Sequence, residues 1–510
     1  MMVAKTLSVA LLGATGALVE VEAHIADAIP GFQLIGLPDT ALSDSKDRVR
    51  AAAANDGCPL PSRKIVVNLS PASLPKTGST YDLAIAVAVL AAEGVVRPEV
   101  IDGVVHLGEL SLDGRLRPMT GVLPAIVAAR AAGCRRFVVP AGNEHEARLV
   151  DDVEIETVAS LREALIRHGA DLDAGETEPL LSPSPVEEVA APLDLADVVG
   201  NAEAVEALVT AAAGGHHLLM IGPPGAGKTM LAQRLPGILP DLDHEQALEV
   251  TSVLSLAGTP QHGLIRRPPL ESPHHSASAA ALVGGGSRVI RPGAAARATH
   301  GILFLDEAPE FAPAVLDSLR QPLESGTLTV SRATAVAHFP ARFQLVLAAN
   351  PCPCGSFGSR DLDCTCTSIM RRRYLGRLSG PLLDRVDLQL RVDRVTAAAI
   401  RTQADAPPQV TSAVARKRVL DARAAAAVRL QSTPWRVNAH VPGAWFRSGQ
   451  RRLSHEVTAP IDRALERGSL TMRGYDRVLR VAWTLADLDG VERPGLDHIG
   501  RAHMLRRAVA

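Results

Sequence analysis

The sequence is poor in aromatic residues: eight Phe, three Trp and three Tyr make up 3% of 510 residues. Its cores therefore have to be built from Ala, Val, Leu and Ile. It also lacks an excess of charge of either sign, with 53 basic against 55 acidic residues and a net charge of −2. Any grip on nucleic acid must then come from local patches. Cysteine is scarce, six in all, which excludes a disulfide scaffold; the placement reads as metal binding in a reducing compartment, the cytoplasm. No uninterrupted apolar run approaches the ~18 residues that span a bilayer, so no membrane partner is expected. The opening stretch, MMVAKTLSVALLGATGALVEVEAH, does not read as a signal peptide. Its apolar run is broken by Gly13, Thr15 and Gly16 and flows into alternating, strand-like sequence without a small-residue cleavage site. No internal period indicates a solenoid.

What is present is an ordinary globular balance, 47% hydrophobic and 21% charged. The length suits two to three domains at roughly 100–200 residues each. Residues 1–169 alternate short β-rich runs with Ala-rich helical ones. IVVNLSP, from Ile65 to Pro71, reads as a strand ending in a turn. YDLAIAVAVLAAEG, from Tyr81 to Gly94, reads as a buried helix closed by glycine, and RFVVPAG, from Arg136 to Gly142, as another strand. Residues 170–192 are acidic, Pro-rich and without a clear period. They read as a linker, stiffened from Ser182 to Pro185. Residues 193–401 form an α/β block, and residues 402–510 turn almost wholly helical, with Arg and Ala dominant.

The strongest motif is HLLMIGPPGAGKTMLAQRL. Strand-like Leu218 to Ile221 leads into Gly222, Pro223, Pro224, Gly225, Ala226, Gly227, Lys228 and Thr229, and a helical run begins with Met230. Strand, glycine-rich loop and helix in that order are the context of a P-loop that cradles the phosphates of ATP. The glycines let backbone N–H groups turn inward, and the helix N-terminus adds its positive dipole end. Lys228 is expected on the β/γ-phosphates and Thr229 on Mg²⁺. In GILFLDEAPEF, four apolar residues form a buried strand that ends in Asp306 and Glu307. Ligands bind outside the carboxyl ends of such strands; Asp306 is expected to hold Mg²⁺ and Glu307 to polarise the attacking water. A third strand, FQLVLAANP, ends in Asn350, an amide suited to orienting that water or sensing the γ-phosphate; a plain turn residue is the alternative. P-loop, acidic strand and polar sensor follow one another in the order of AAA+ ATPases.

These motifs resemble the magnesium-chelatase-like AAA+ ATPases of the ComM/YifB family. The resemblance is carried by PGFQLIGLPDTALSDSKDRVRAA, VNLSPASLPKTGSTYDLAIAVAVLAA, AAAGGHHLLMIGPPGAGKTMLAQRLPGILP, ESPHHSASAAALVGGG, GILFLDEAPEF, AANPCPCG, RLSGPLLDRVDL and MRGYDRVLRVAWTLADL, and spans nearly the whole chain except the linker. It implies an α/β architecture in three parts: an N-terminal Lon-protease-like α+β domain, a central P-loop AAA+ core and a C-terminal helical lid. It also gives two arginines roles. Arg385 in GPLLDRVDL looks like an arginine finger that enters a neighbour's site, and Arg473 in TMRGYDR looks like a sensor-two arginine that reaches the γ-phosphate. A structural ion pair is the plain alternative for each. A finger supplied in trans needs a head-to-tail neighbour, for which a closed ring is the usual solution, and the family implies a homohexamer.

The first block resembles Lon proteases through PKTGSTYDLAIAVAVL and GELSLDGRLRPMTGVLPAIVAARAAGCRRFVVPAGN. Lon chemistry needs a serine nucleophile and a lysine base. Here Thr80 stands closest to the serine position, and residues 121–129 contain no lysine, so the domain is expected to be inactive.

The segment TLTVSRATAVAHFPARFQLVLAANP resembles the hairpin of MCM-type helicases, which puts Arg332 near DNA in a pore. His274 and His275, in the insert around ESPHHSAS, read as pore or surface residues rather than as metal ligands. In NPCPCGSFGSRDLDCTCTS, Cys352, Cys354, Cys364 and Cys366 form two tight pairs that suit tetrahedral Zn²⁺. The C-x-C spacing departs from the usual C-x₂₋₄-C, and free thiols or a redox pair are the alternatives. Arg371, Arg372 and Arg373, with Tyr374 as a stacking ring, suit a phosphate backbone; a solvated helix face is the alternative. Together these features predict a hexameric motor that translocates single-stranded or branched DNA, a ComM-like branch-migration helicase in recombination and natural transformation. A chelatase-type or protein-remodelling ATPase without DNA activity is the competing reading.

Overall fold

A computed structural model describes residues 3–36, 42, 44–76, 78–175, 177–181, 193–259, 261, 263–286, 290–332, 336–358, 364–395 and 410–506. The expected linker lies in part, and the expected boundary at 401–402 wholly, outside these residues.

The first block is a seven-stranded sheet. Its strands are β1 (Val3–Leu12), β2 (Thr15–Ala26), β3 (Gly31–Ile35), β4 (Lys64–Ser70) and β5 (Val104–His106), then, after a small hairpin of β6 (Glu109–Leu110) and β7 (Leu116–Arg117), β8 (Arg136–Pro140) and β9 (Glu154–Val158). The order is β3-β4-β2-β1-β5-β8-β9, antiparallel across β4-β2-β1 and parallel elsewhere. Period-two alternation sets the faces: Val19, Val21, Ala23 and Ile25 of β2 are buried, and Glu20, Glu22 and His24 between them are not. The Asp82–Glu93 helix, DLAIAVAVLAAE, is buried at every position but Glu93 and closes on left-handed Gly94. This is the helix the apolar run predicts.

A chain of polar atoms crosses this block. The Thr6 hydroxyl donates to the Val104 carbonyl at 2.9 Å and lies 2.7 Å from His106 Nδ1; His106 Nε2 lies 2.8 Å from His168 Nε2. The single Thr6 proton is committed to the carbonyl, so His106 Nδ1 is the donor to Thr6, and His168 donates to His106 Nε2. Both rings are neutral. Burial, with Arg136 adding repulsion, lowers His168 to about 4, and burial lowers His106 well below the ordinary histidine range.

The second sheet contains β10 (Leu218–Ile221), β11 (Leu270–Glu271), β12 (Ile302–Leu305), β15 (Gln344–Ala349) and β16 (Leu388–Arg391), with β13 (Thr327–Ser331) and β14 (Val336–Pro340) forming a separate antiparallel hairpin. All five strands run parallel in the order β11-β12-β15-β10-β16. β10, β12 and β15 are buried along their whole length, because helical layers cover both faces. Leu218, Met220, Ile302, Phe304, Val346 and Ala348 point to a layer made with the C-terminal helices. Leu219, Ile221, Leu303, Leu305, Leu345 and Leu347 point to the opposite layer, which contains Phe311, Leu316 and Phe339.

The C-terminal part is helical, as expected, with its main helices at Ser412–Leu430, His455–Glu466, Met472–Leu488 and Leu496–Met504. It shares one core with the sheet. A buried polar network joins the two. Asp387, just before β16, lies 3.3 Å from His216 Nδ1 and 2.5 Å from Arg477 Nη1, while His216 Nε2 lies 2.8 Å from the Thr484 hydroxyl. Burial pushes the Asp387 carboxyl up, but Arg477 and His216 pull it down further, to well below the usual carboxylate range. The first block touches the second through backbone as well as side chains. Gly13, in the β1–β2 turn, forms a bridge with His338 of β14, and Ala14 N–H donates to the His338 carbonyl at 2.8 Å. Gly121 N–H donates to the Ser255 hydroxyl at 3.1 Å. No helix among the described residues is long and apolar enough to cross a membrane.

Two outcomes are expected. The folded pKa of His168 lies below the unfolded value of about 6.5, so the unfolded chain binds the extra proton. Stability is then complete above that value and declines as the pH falls toward 4. Thermal unfolding between pH 7.5 and 4.5 should give a falling Tm, with a shallower fall in His168→Gln. Asp387→Asn leaves the Arg477 guanidinium buried without its counter-charge, a cost of about 3–5 kcal/mol, and denaturant unfolding at pH 7 measures it.

Candidate active site

Three parallel strands deliver their C-terminal ends to one place. β10 runs into the glycine-rich loop at 222–227, β12 ends at Asp306 and Glu307, and β15 ends at Asn350. β15 lies between the other two, pairing Ala349 with Ile221 and Leu347 with Leu305. The amide of Asn350 therefore emerges between the loop and the acidic pair. The loop depends on its glycines. Gly225 and Gly227 have φ of +76° and +90°, and a Cβ at either would meet nothing within 4 Å, so the loop surface is open there. At Gly222 a Cβ would come within 2.1 Å of the Val392 carbonyl oxygen; the end of β16 presses on this point. Ala226 is buried and Pro223 half-buried, whereas Pro224, Gly225, Thr229 and Met230 are exposed.

Lys228 starts the Lys228–Ile238 helix and is only 7% exposed. Its Nζ donates to the carbonyls of Gly222 and Pro223 at 2.7 and 3.0 Å and to Asn350 Oδ1 at 3.2 Å. Burial lowers its pKa, with Asp306 and Glu307 pulling the other way. A buried ammonium hydrogen-bonded to neutral acceptors, beneath an open glycine surface at a helix N-terminus, fits a phosphate chain. The Thr229 hydroxyl donates to Asp306 Oδ2 at 2.6 Å, which sets two hard oxygens side by side in the chemistry that Mg²⁺ prefers. Glu307 N–H donates to Asp306 Oδ1 at 2.9 Å. The Glu307 backbone is left-handed, φ +49°, which is uncommon for a residue with a side chain.

His275 lies with its Nδ1 3.2 Å from Glu307 Oε2, and its ring centroid is 4.0 Å from that of His274. The sequence marks both histidines as pore or surface residues and does not link either to the acidic pair. No local signal announces the contact: it arises because the segment follows β11, and β11 pairs with β12.

Arg385 and Arg473 do not join this cluster within the chain. They share a cavity of about 310 Å³, lined also by Glu324, Asp384, Asp476, Arg477 and Arg480. Arg385 pairs with Glu324 and donates to the Pro381 carbonyl at 2.5 Å, and Arg473 lies 3.3 Å from Asp384. Arg477 donates to the backbone carbonyl of Arg385 at 3.1 Å. Burial and then the neighbouring arginines 320, 473 and 477 lower the pKa of Arg385.

Arg332, at the end of β13, is exposed. A Cβ at Gly285, in the LVGGG insert, would lie 3.1 Å from its Nη2, so hairpin and insert meet. Arg371, Arg372 and Arg373 lie on the Ser368–Leu375 helix. Arg372 and Arg373 are exposed, and Arg371 stacks 3.7 Å over the Phe357 ring. Tyr374 corrects the sequence reading. It is 5% exposed and cannot stack on a base; burial raises its hydroxyl to about 12. It falls on the helix face turned toward the core, one position past the exposed arginines. All four cysteines of the cluster are free, with their sulfurs within 4.8 Å of one another. Cys58 and Cys134 are buried, as expected.

Known families match along the chain in order: "Subunit ChlI of Mg-chelatase" over residues 21–143, "Magnesium chelatase, subunit ChlI" over 194–400, and "Magnesium chelatase, subunit ChlI C-terminal" over 409–506. The chain is 49% identical over 517 residues to an uncharacterized protein of Mycobacterium tuberculosis, covering 100% of both. It is 40% identical over 508 residues to competence protein ComM of Haemophilus influenzae, covering 98% of this chain and 96% of that one. With uncharacterized protein YifB of Escherichia coli it shares 40% identity over 487 residues, covering 94% and 92%. These end-to-end matches, with the P-loop, acidic strand and polar amide at one edge of a parallel sheet, mean that the chain belongs to the magnesium-chelatase-like ComM/YifB family of AAA+ proteins.

Proposed function

We propose that this protein is an ATP-hydrolysing ring motor that binds and moves DNA. The observation that carries the ATPase reading is the convergence of Lys228, Thr229, Asp306, Glu307 and Asn350 at the ends of three adjacent strands. In this reading residues 222–230 embrace the triphosphate, with the Lys228 ammonium as the counter-charge of its β/γ end. Thr229 and Asp306 hold Mg²⁺, which when bound neutralises phosphate charge. Glu307 takes the proton side of the attacking water, with Asn350 steering that water from the adjacent strand and His275 setting the resting position of the Glu307 carboxylate.

Arg385 acts on a neighbouring copy as an arginine finger, and Arg473 reaches the γ-phosphate as a sensor-two arginine. Within the chain Arg385 pairs with Glu324 and Arg473 with Asp384 in one shared cavity, which supports a role for Arg385 outside its own nucleotide loop. Head-to-tail copies then close into a ring, a hexamer by family resemblance. The chain divides at 169, 192 and 401 into an inert Lon-like domain, a linker, the AAA+ core and a helical lid. DNA is gripped by Arg332 and the adjoining insert, with Arg371, Arg372 and Arg373 as backbone contacts, of which Arg371 is already engaged by Phe357. The biological role is ComM-like branch migration in recombination, in the cytoplasm. The chelatase descriptions of the matching families favour a second reading, a chelatase-type or protein-remodelling motor without DNA activity.

The expected outcomes separate these readings. Lys228→Ala abolishes nucleotide binding. Glu307→Gln keeps binding and lowers the hydrolysis rate by about 10²–10⁴. Arg385→Ala also keeps binding and lowers the rate by on the order of 10³. His275→Ala removes one exposed contact worth ~1 kcal/mol at most and shifts the rate by no more than about fivefold. ATPase assays with single-stranded and forked DNA should give stimulation that weakens with salt and is lost in Arg332→Ala. No stimulation and no salt-sensitive binding would overturn the DNA reading in favour of the remodeller.

A further inference from the structure

The cysteines beyond β15 have a geometry that selects their ligand. Cys352 Sγ lies 3.3 Å from Cys354 Sγ and 3.7 Å from Cys364 Sγ, and Cys354 and Cys364 are 3.7 Å apart. These separations far exceed the ~2.05 Å of a disulfide. A tetrahedron of thiolates bonded at ~2.3 Å to one Zn²⁺ has edges of about 3.8 Å. The cluster has that size, with all four sulfurs within 4.8 Å. An iron–sulfur cluster needs wider spacing, because inorganic sulfide stands between its irons. Hard ions such as Mg²⁺ do not select four thiols. Cys352 is fully buried and Cys366 nearly so, whereas Cys354 is exposed and Cys364 intermediate. The site is thus closed on one side and reachable from the other.

Its position matters as much as its composition. Only Pro351 separates Cys352 from Asn350. Gly355, one residue past Cys354, has φ +77°, and a Cβ there would fall 2.6 Å from Pro224 of the glycine-rich loop. The cysteine turn therefore lies directly on the P-loop, with no room for a side chain between them. Phe357, two residues on, carries the Arg371 guanidinium.

We propose that Cys352, Cys354, Cys364 and Cys366 bind one Zn²⁺ ion in an all-thiolate site, and that this ion clamps the segment after Asn350 against Pro224. The C-x-C pairs, short for a zinc knuckle, suit this role because the tight turn through Gly355 is what reaches the loop. Binding of the metal acts as local folding energy for that turn. The metal assignment stands apart from the nucleotide reading; the effect on ATP rests on that reading.

Metal analysis of the full-length protein purified under reducing conditions is expected to find one zinc per chain, and Co²⁺ exchanged into the site to give the absorption of tetrahedral thiolate coordination. Cys364→Ser and Cys366→Ser should each lower the zinc content. A wild-type protein without zinc after incubation with Zn²⁺, or holding iron instead, or unchanged zinc in both variants, overturns the site. Binding of a fluorescent ATP analogue tests the clamp: Cys364→Ser should weaken it several-fold in a protein whose thermal unfolding is otherwise retained. Equal affinity in wild type and variant overturns the clamp, whereas absence of binding in the wild type itself overturns the nucleotide reading and leaves the zinc result standing.

Discussion

A carboxylate buried at the head of β16 can stay ionised only while a cation faces it, and much of the molecule is arranged around that need. Asp387 is 3% exposed, and Arg477 reaches it from the C-terminal Met472–Leu488 helix. The same guanidinium donates to the carbonyl of Arg385. One ion pair thereby fixes three things at once: the edge strand of the parallel sheet, the seat of the helical part, and the backbone of an arginine turned away from its own nucleotide loop. Arg429, Asn438 and Asp487 extend the polar interior of that helical part, with Arg429 bonded to both Asp487 oxygens at 2.5 and 2.7 Å. The Nε atoms of Arg429 and Arg477 are buried without a hydrogen-bond partner, but the remaining charged groups face one another, and pairing of buried charge favours the orientation of helices on sheet that allows it.

The parallel sheet does the corresponding work at the other end of each strand. A strand buried on both faces has no polar outlet except at its tips, and at the tips of β10, β12 and β15 stand the loop glycines, the acidic pair and the amide. Inserting β15 between the other two is what brings Asn350 to Lys228. Phosphate chemistry on this chain is thus a property of strand order more than of any one residue.

The strand ends of the candidate site are legible in the sequence because their signals are local. GPPGAGKT between a strand and a helix, ILFL before Asp306, and an apolar strand before Asn350 each identify themselves without knowledge of their neighbours. The long apolar helix at Asp82–Glu93 and the alternating β2 were readable for the same reason, through periods of continuous burial and of two. What stayed hidden depends on contacts between distant segments. His275 meets Glu307 only because β11 pairs with β12, a two-residue strand with no pattern of its own. Arg473 and Arg385, 88 residues apart in number, share a cavity because the helical part folds back over β16. Tyr374 looked available beside three arginines, yet helical periodicity turns it inward while Arg372 and Arg373 face out. A run of charge read as a stripe loses the angle at which each side chain leaves the axis.

The junction at Gly13 has a mechanical meaning. The turn between β1 and β2 touches His338 so closely that a Cβ at Gly13 would stand 2.4 Å from the His338 carbonyl oxygen. His338 belongs to the strand that returns from the tip near Arg332. The β13–β14 hairpin is thus gripped like a blade at its shank: a displacement of β14 at His338 is felt as a push on the first sheet. The N-terminal block thus bears on the hairpin through backbone, at a point where no side chain can come between them.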